Sequence, residues 1–221
     1  MKTGTLYIVS TPIGNLEDIT LRALRILKEV DLIAAEDTRR TKVLLDKYGI
    51  HKKLLSYYSY NRIRKKEELI GLIKQGRNIA LVSDSGTPGI SDPGFLLIKD
   101  AIENGISVSA IPGPVALITA LVISGKATGK FIFEGFLSNK TARRKKQLEM
   151  LLSERRTIIL YESCHRILKL LEDILEVMGD REIAIARELT KKFEEIRRER
   201  VSTALAHFKS IKPRGEFILV L

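Results

Sequence analysis

The chain has 221 residues, 44% of them apolar and 29% charged, with 15 Gly and 6 Pro. These proportions exclude global disorder, collagen-like repeats and low complexity, and the length suits one large domain or two small ones. A single cysteine, Cys164, excludes an intramolecular disulfide scaffold, and 38 Lys and Arg against 27 Asp and Glu give a net charge of +11, which points to a polyanionic partner.

Short apolar runs alternate with amphipathic stretches along the whole chain. Strands are predicted at 5–10, 31–35, 54–58, 78–83, 107–111, 131–137, 157–161, 182–187 and 216–221. Helices are predicted at 16–30, 38–48, 64–74, 95–104, 115–124, 141–154 and 167–178. This alternation argues an α/β protein whose strands are largely parallel and buried. The run EEIRRERV, 194–201, is ambiguous between helix and exposed strand, and Ser202 is a candidate cap for a helix after it. A boundary is expected between Pro112 and Lys130, giving an N-terminal α/β domain at 1–117 and a C-terminal α/β domain at 118–221. The last apolar run, EFILVL, reads as a strand that ends a domain or continues into a longer protein. The longest apolar stretch, 115–124, is about half of what a bilayer needs, and the N-terminus lacks a signal-peptide core; a cytoplasmic protein without a membrane partner is expected.

Ligands of open α/β sheets bind beyond the carboxyl ends of the strands. Three of those ends share a grammar of acid, then Ser or Thr, then a basic residue: Glu36/Thr38/Arg39, Glu162/Ser163/Arg166 and Glu188/Thr190/Lys191. Ser and Thr cap helices, and acids suit a helix N-terminus; Arg and Lys do not. A phosphate-bearing substrate lying across the strand ends accounts for them. The segment from Asp84 to Gly94 holds three Gly and two Pro in eleven residues, a stiff loop poor in side chains that can offer backbone donors to a small ligand. It is neither a P-loop nor a GxGxxG fingerprint. The histidines His51, His165 and His207 are scattered and no zinc spacing occurs, so no metal is expected. The basic run from Arg143 to Lys146 heads a helix and reads either as a solvated face or as a polyanion contact.

Longer motifs carry a family likeness: VSTPIGNLEDITLRAL (9–24), AAEDTRRT (34–41), LVSDSGTPGISDPG (81–94), IPGPVA (111–116), FEGFL (133–137), YESCHR (161–166), ARELTKKFEE (186–195) and PRGEF (213–217). In these the chain resembles the ribosomal RNA small subunit methyltransferase I group of the tetrapyrrole methylase superfamily. Cys164 departs from the Pro usual there, and many relatives carry a C-terminal extension that is missing here. The resemblance implies a two-lobed class III methyltransferase fold, with mixed sheets, flanking helices and S-adenosylmethionine in the interlobe cleft, usually as a homodimer. It implies 2′-O-methylation of a cytidine in the decoding region of 16S ribosomal RNA in the small subunit. Carried onto this sequence, the cofactor contacts fall on Ile13, Asp84, Gly86, Thr87, Pro88, Ile90, Pro112, Val115 and Ala116.

In such chemistry a carboxylate within reach of the 2′-hydroxyl can accept its proton, and Glu36, Asp37, Glu162 and Glu188, each at a strand end, are the candidates; pairing with Arg39, Arg166 or Arg187 is the structural reading of the same acids. RNA grip is expected from Arg39, Arg40, Arg143, Arg144, Arg166, Arg187 and Lys191. Two other readings stand beside this one: a methylase of a small tetrapyrrole, disfavoured by the net charge, and a non-catalytic ribosome-binding protein, disfavoured by the strand-end acids and the glycine loop.

Overall fold

The computed structural model describes residues 3–58 and 62–221. The chain divides into two compact units, Met1–Val115 and Ala116–Leu221. The first contains β1 (Thr5–Val9), a 3-10 turn (Leu16–Asp18), α1 (Leu21–Glu29), β2 (Leu32–Ala35), α2 (Thr38–Lys47) and β3 (Leu54–Ser56). It continues with α3 (Arg62–Lys74), β4 (Ile79–Val82), α4 (Phe95–Glu103) and β5 (Ser107–Ile111). The strands form one sheet in the order β3-β2-β4-β1-β5, with every pairing parallel.

Strand side chains alternate between the sheet faces with period two. Leu6, Ile8, Leu32, Ala34, Ile79 and Leu81 pack with α3 and α4, through Leu69, Ile73, Leu97 and Ala101. Val9, Ile33, Ala35, Ala80 and Val82 pack on the other face with α1 and α2, through Ala23, Leu27, Leu44 and Leu45. Both faces of β2 and β4 are therefore buried, which is why LIAA and IALV read as unbroken apolar runs. Chains leaving β1 and β2 turn to one face, and those leaving β3 and β4 turn to the other. Neighbouring strands thus diverge at the carboxyl edge, where a crevice opens.

The helix expected at 16–30 is broken. Ile19 is extended at φ −67°, ψ 136°, and the Thr20 hydroxyl accepts the Ala23 N–H at 3.1 Å, so α1 begins only at Leu21.

The second unit contains α5 (Ala116–Ile123), β6 (Phe131–Phe136), α6 (Thr141–Met150), β7 (Thr157–Ser163), α7 (Ile167–Met178) and β8 (Glu182–Arg187). It ends with β9 (Glu195–Arg200), α8 (Val201–Ser210) and β10 (Glu216–Val220). Its sheet has the order β6-β7-β10-β8-β9 and is mixed: β6 and β7 are parallel, while β10 runs antiparallel to β7 and β8, and β8 antiparallel to β9. The expectation of largely parallel strands thus holds for the first unit and is corrected in the second. EIRRER forms the edge strand β9, whose charged side chains suit an edge. Ser202 does not cap α8; its N–H and hydroxyl both donate to Asp180, at 2.9 and 2.8 Å. Helix α6 stops short of the expected 154, where Glu154 accepts the N–H groups of Arg155 and Arg156 instead, at 2.9 and 2.8 Å.

Inside this unit Arg144 is only 2% exposed. Its Nε donates to Asp173 Oδ2 at 2.6 Å, and Nη1 donates to the carbonyl of Ser138 at 3.2 Å. Arg144 is a core ion pair between α6 and α7, and the RNA contact expected of it is withdrawn. Removing one partner of a buried pair strands the other charge. Asp173→Ala is expected to destabilise the protein by about 3–5 kcal/mol in urea unfolding, a cost typical of a broken buried pair.

Candidate active site

Three loops of the first unit meet at the carboxyl edge of its sheet. Thr11, after β1, and Gly86, after β4, exchange backbone hydrogen bonds: Thr11 N–H to Gly86 O at 2.8 Å and Gly86 N–H to Thr11 O at 3.0 Å. The hydroxyls of Ser10 and Thr87 lie 2.7 Å apart in a hydrogen bond across the same seam. Gly86 sits at φ +78°, where a side chain is strained, and a Cβ there would stand 3.5 Å from Ile13 Cγ2 and 3.7 Å from Pro114 O. At Gly113, after β5, a Cβ would come within 2.8 Å of Ser10 Cβ. These loops approach closely because the residues at the contacts are small. Ile13 and Pro88 are buried, Thr87 and Val115 half-buried, and Ile90 and Pro112 exposed. Ala116 belongs to the second unit, as the first residue of α5.

The acids lie one strand further along the edge. Glu36 follows β2, and its Oε2 accepts the Asp84 N–H at 3.3 Å. Asp84 Oδ1 in turn accepts the Asp37 N–H at 2.9 Å, and Oδ2 faces Arg40 at 3.5 Å. Asp37 caps α2 by accepting the Arg39 N–H at 2.9 Å. Burial pushes the Glu36 carboxyl up; the Asp84 N–H opposes this and the Asp84 charge adds to it. Asp37 behaves oppositely: hydrogen bonds from the Arg39 guanidinium and backbone pull it down to about 2. Glu36, Asp37, Thr38 and Arg39 line an open cavity of about 390 Å³ together with Ser56 and Tyr58 from the end of β3.

In the second unit Glu162 and Ser163 are not in a turn. They pair with Phe217 and Glu216 of β10, which extends β7 past the expected 161. Glu162 is buried, with its oxygens taken by the Ser163 N–H at 2.7 Å and Arg166 Nη2 at 3.0 Å; desolvation still raises its pKa. Glu188 Oε1 accepts from Lys191 Nζ at 2.9 Å and from the Glu216 N–H at 3.1 Å; burial opposes these contacts, but its pKa is lowered on balance. Arg187 donates to Arg214 O at 2.7 Å and to Glu195 at 3.0 Å. Arg39, Arg40 and Arg143 are exposed.

The family description Tetrapyrrole (Corrin/Porphyrin) Methylases matches residues 5–205. The chain is 53% identical over 218 residues to the ribosomal RNA small subunit methyltransferase I of Thermotoga maritima, across 99% of this chain and 98% of that protein. The protein of the same name from Escherichia coli O157:H7 is 49% identical, across 99% of this chain and 77% of that one. The chain belongs to the ribosomal RNA small subunit methyltransferase I family, within the tetrapyrrole methylases. Among solved structures, diphthine synthase superposes with a TM-score of 0.77 at 14% identity, over 99% of this chain and 90% of that one. Uroporphyrin-III C-methyl transferase from Thermus thermophilus, complexed with S-adenyl homocysteine, gives 0.71 at 16% identity, over 98% and 97%. The fold is shared with these methyltransferases.

The glycine loop does not leave all its backbone donors to a ligand, since Gly86 N–H bonds Thr11 O and Ile90 N–H bonds Thr87 O at 3.3 Å. Ser56 and Tyr58 were not singled out from the sequence; the signal was the polar, aromatic run SYY where β3 ends. Among the described residues no group of three or more His, Cys, Asp or Glu is placed to hold a metal ion, and no helix is long and apolar enough to cross a membrane.

Glu36 and Glu162 titrate higher folded than unfolded, so stability they contribute is complete below the unfolded pKa and lost as pH rises through the folded one. Asp84→Asn keeps an oxygen acceptor for the Asp37 amide but removes a negative neighbour of Glu36. Glu36 is then expected to titrate lower than in the wild type, which a carboxyl carbon NMR titration reads.

Proposed function

We propose that this chain transfers the methyl group of S-adenosylmethionine to the ribose 2′-oxygen of a cytidine in the decoding region of small-subunit ribosomal RNA. The observation that carries this is 53% identity along 99% of the chain to a protein named ribosomal RNA small subunit methyltransferase I. The donor is assigned to the loops of the first unit, where Thr87, Ile90, Pro112 and Val115 are exposed or half-buried and Ile13, Gly86 and Pro88 are buried, a setting that suits a ligand held by few side chains. Asp84 ties the glycine loop to the acids: its N–H donates to Glu36, and its carboxylate accepts the Asp37 N–H. The bound donor supplies a sulfonium methyl already activated for attack.

The protein then has to orient the sugar and take its proton. Of the four candidate acids, Glu36 suits the second task. It is half-buried, its pKa is raised, and it faces an open cavity. Asp37 is held ionised by Arg39 and is a weak base; Glu188 is spent on Lys191, and Glu162 is closed off by Ser163 and Arg166. Glu36 would receive the proton of the 2′-hydroxyl as that oxygen takes the methyl group, which the donor would supply while leaving as a neutral thioether. The exposed Arg39, Arg40 and Arg143 serve as phosphate contacts, Arg39 and Arg40 while also facing Asp37 and Asp84; Arg166, Arg187 and Lys191 contribute positive charge shared with Glu162, Glu195 and Glu188. The reading also places the protein in the cytoplasm as a homodimer, in which a second copy covers the outward apolar residues of α5, Ile118 and Val122.

Tritium from labelled donor should appear as 2′-O-methylcytidine in purified small subunits; label on a porphyrinoid instead would support a small-tetrapyrrole methylase. Glu36→Gln should lower kcat by about 10²–10⁴-fold, the usual worth of a positioned base, with donor affinity unchanged. In the wild type the rate should fall as pH drops through the raised Glu36 pKa, and that acid limb should vanish in the variant. An unchanged rate and profile would remove Glu36 from the mechanism.

A further inference from the structure

The hairpin joining β8 to β9 carries a feature the methyl-transfer chemistry does not use. Arg187 pairs with Glu195, which leaves residues 188–194 as the loop. Two of its non-glycine residues have left-handed backbones, Glu188 at φ 51° and Thr190 at φ 64°. Such conformations persist where surrounding contacts over-determine them, and they cluster at functional sites. The contacts here are explicit. Glu188 N–H donates to Glu216 O at 3.0 Å, Lys191 Nζ bridges Glu188 and Glu216 at 2.9 Å each, and Thr190 N–H donates to Glu194 Oε2 at 2.6 Å. Leu189 is buried, anchoring the loop from within. Gly215 gives the Glu188 side chain its room: a Cβ there would stand 2.3 Å from Glu188 Cδ.

The fixed loop turns an aromatic ring outward. Phe193 is 68% exposed, and Lys192 Nζ stands 5.7 Å from its ring centroid. A lone exposed apolar residue needs no explanation. An aromatic ring on a strained, internally braced turn, with a cation over its face and in a chain of net charge +11, does. A flat ring beside a cation is the pairing that binds single-stranded nucleic acid, the ring stacking on a base and the cation meeting the phosphate.

We propose that Phe193 is a stacking platform for an unpaired base of the RNA substrate, with Lys192 contacting the adjoining phosphate. This rests on the RNA reading above and adds to it a base contact outside the strand-end acids. The hairpin is braced before binding, so little ordering entropy opposes the stack.

The test compares wild type, Phe193→Ala and Phe193→Trp for binding of fluorescein-labelled oligocytidylate and of an abasic oligomer with the same sugar–phosphate chain, by anisotropy over a salt series. Phe193→Ala should weaken oligocytidylate binding by about tenfold or more, as loss of one stacked base does, leaving the salt slope, donor affinity and thermal midpoint unchanged. Phe193→Trp should restore binding, and the abasic oligomer should not distinguish the three proteins. Arg143→Ala is the contrasting control: it should reduce the salt slope by about 0.7, the value for one single-strand phosphate contact. The proposal is overturned if Phe193→Ala binds oligocytidylate as the wild type does, if it weakens both oligomers equally, or if it changes the sedimentation of the free protein, which would make Phe193 part of a protein contact. Methylation of small subunits by the wild type separates the two levels: a wild type that methylates them alongside an indifferent Phe193→Ala sinks only the stacking platform, whereas a wild type that neither methylates nor binds RNA sinks the reading beneath it.

Discussion

The two backbone hydrogen bonds between Thr11 and Gly86 hold the first unit's edge together. They join the loops after β1 and β4, strands that are neighbours in the sheet but whose chains leave toward opposite faces. Without that seam the two loops would be free to part where the crevice opens. A net worth of about 0.5–1.5 kcal/mol per hydrogen bond is modest. The larger constraint is satisfaction: Thr11 is buried, and its hydroxyl also donates to Ser83 O at 3.2 Å, so displacing the seam strands several polar groups at once. Gly86 can close it because it takes a positive φ without strain.

The same edge separates neighbouring carboxylates by environment. Glu36 and Asp37 are adjacent in sequence, yet desolvation raises one and a guanidinium lowers the other. Asp84 links them, accepting from Asp37 while its own N–H reaches Glu36. Two acids with pKa values pushed apart is a common arrangement where one must be a permanent anion and the other must exchange a proton.

Much of this was legible in the sequence because the first unit is a parallel sheet. Runs such as LIAA and IALV are apolar on both faces, and chemistry gathers where they end, so Glu36 and the Asp84–Gly94 loop could be picked out without coordinates. The second unit was harder. Glu162 looked like a turn residue because nothing in YESCHR reports that β10, more than fifty residues later, pairs with it. Arg144 looked like surface charge because a basic run does not reveal that one member meets Asp173 from another helix. Phe193 passed unnoticed as a site because an isolated aromatic in a charged segment carries no periodic signal. Its setting depends on backbone angles and on the absence of a side chain at Gly215.

The position of β10 has a consequence for biogenesis. The strand formed by residues 216–220 lies in the middle of the second sheet, between β7 and β8. Until those residues emerge from the translating ribosome, the backbone N–H and C=O groups on the facing edges of β7 and β8 have no partner strand. The first unit needs nothing beyond residue 115 for its own strands and can fold during synthesis, as N-terminal units generally do. The second must wait for a long-range closure, the slow kind of step in forming a sheet. During that interval the nascent chain is most exposed to aggregation and most dependent on chaperones.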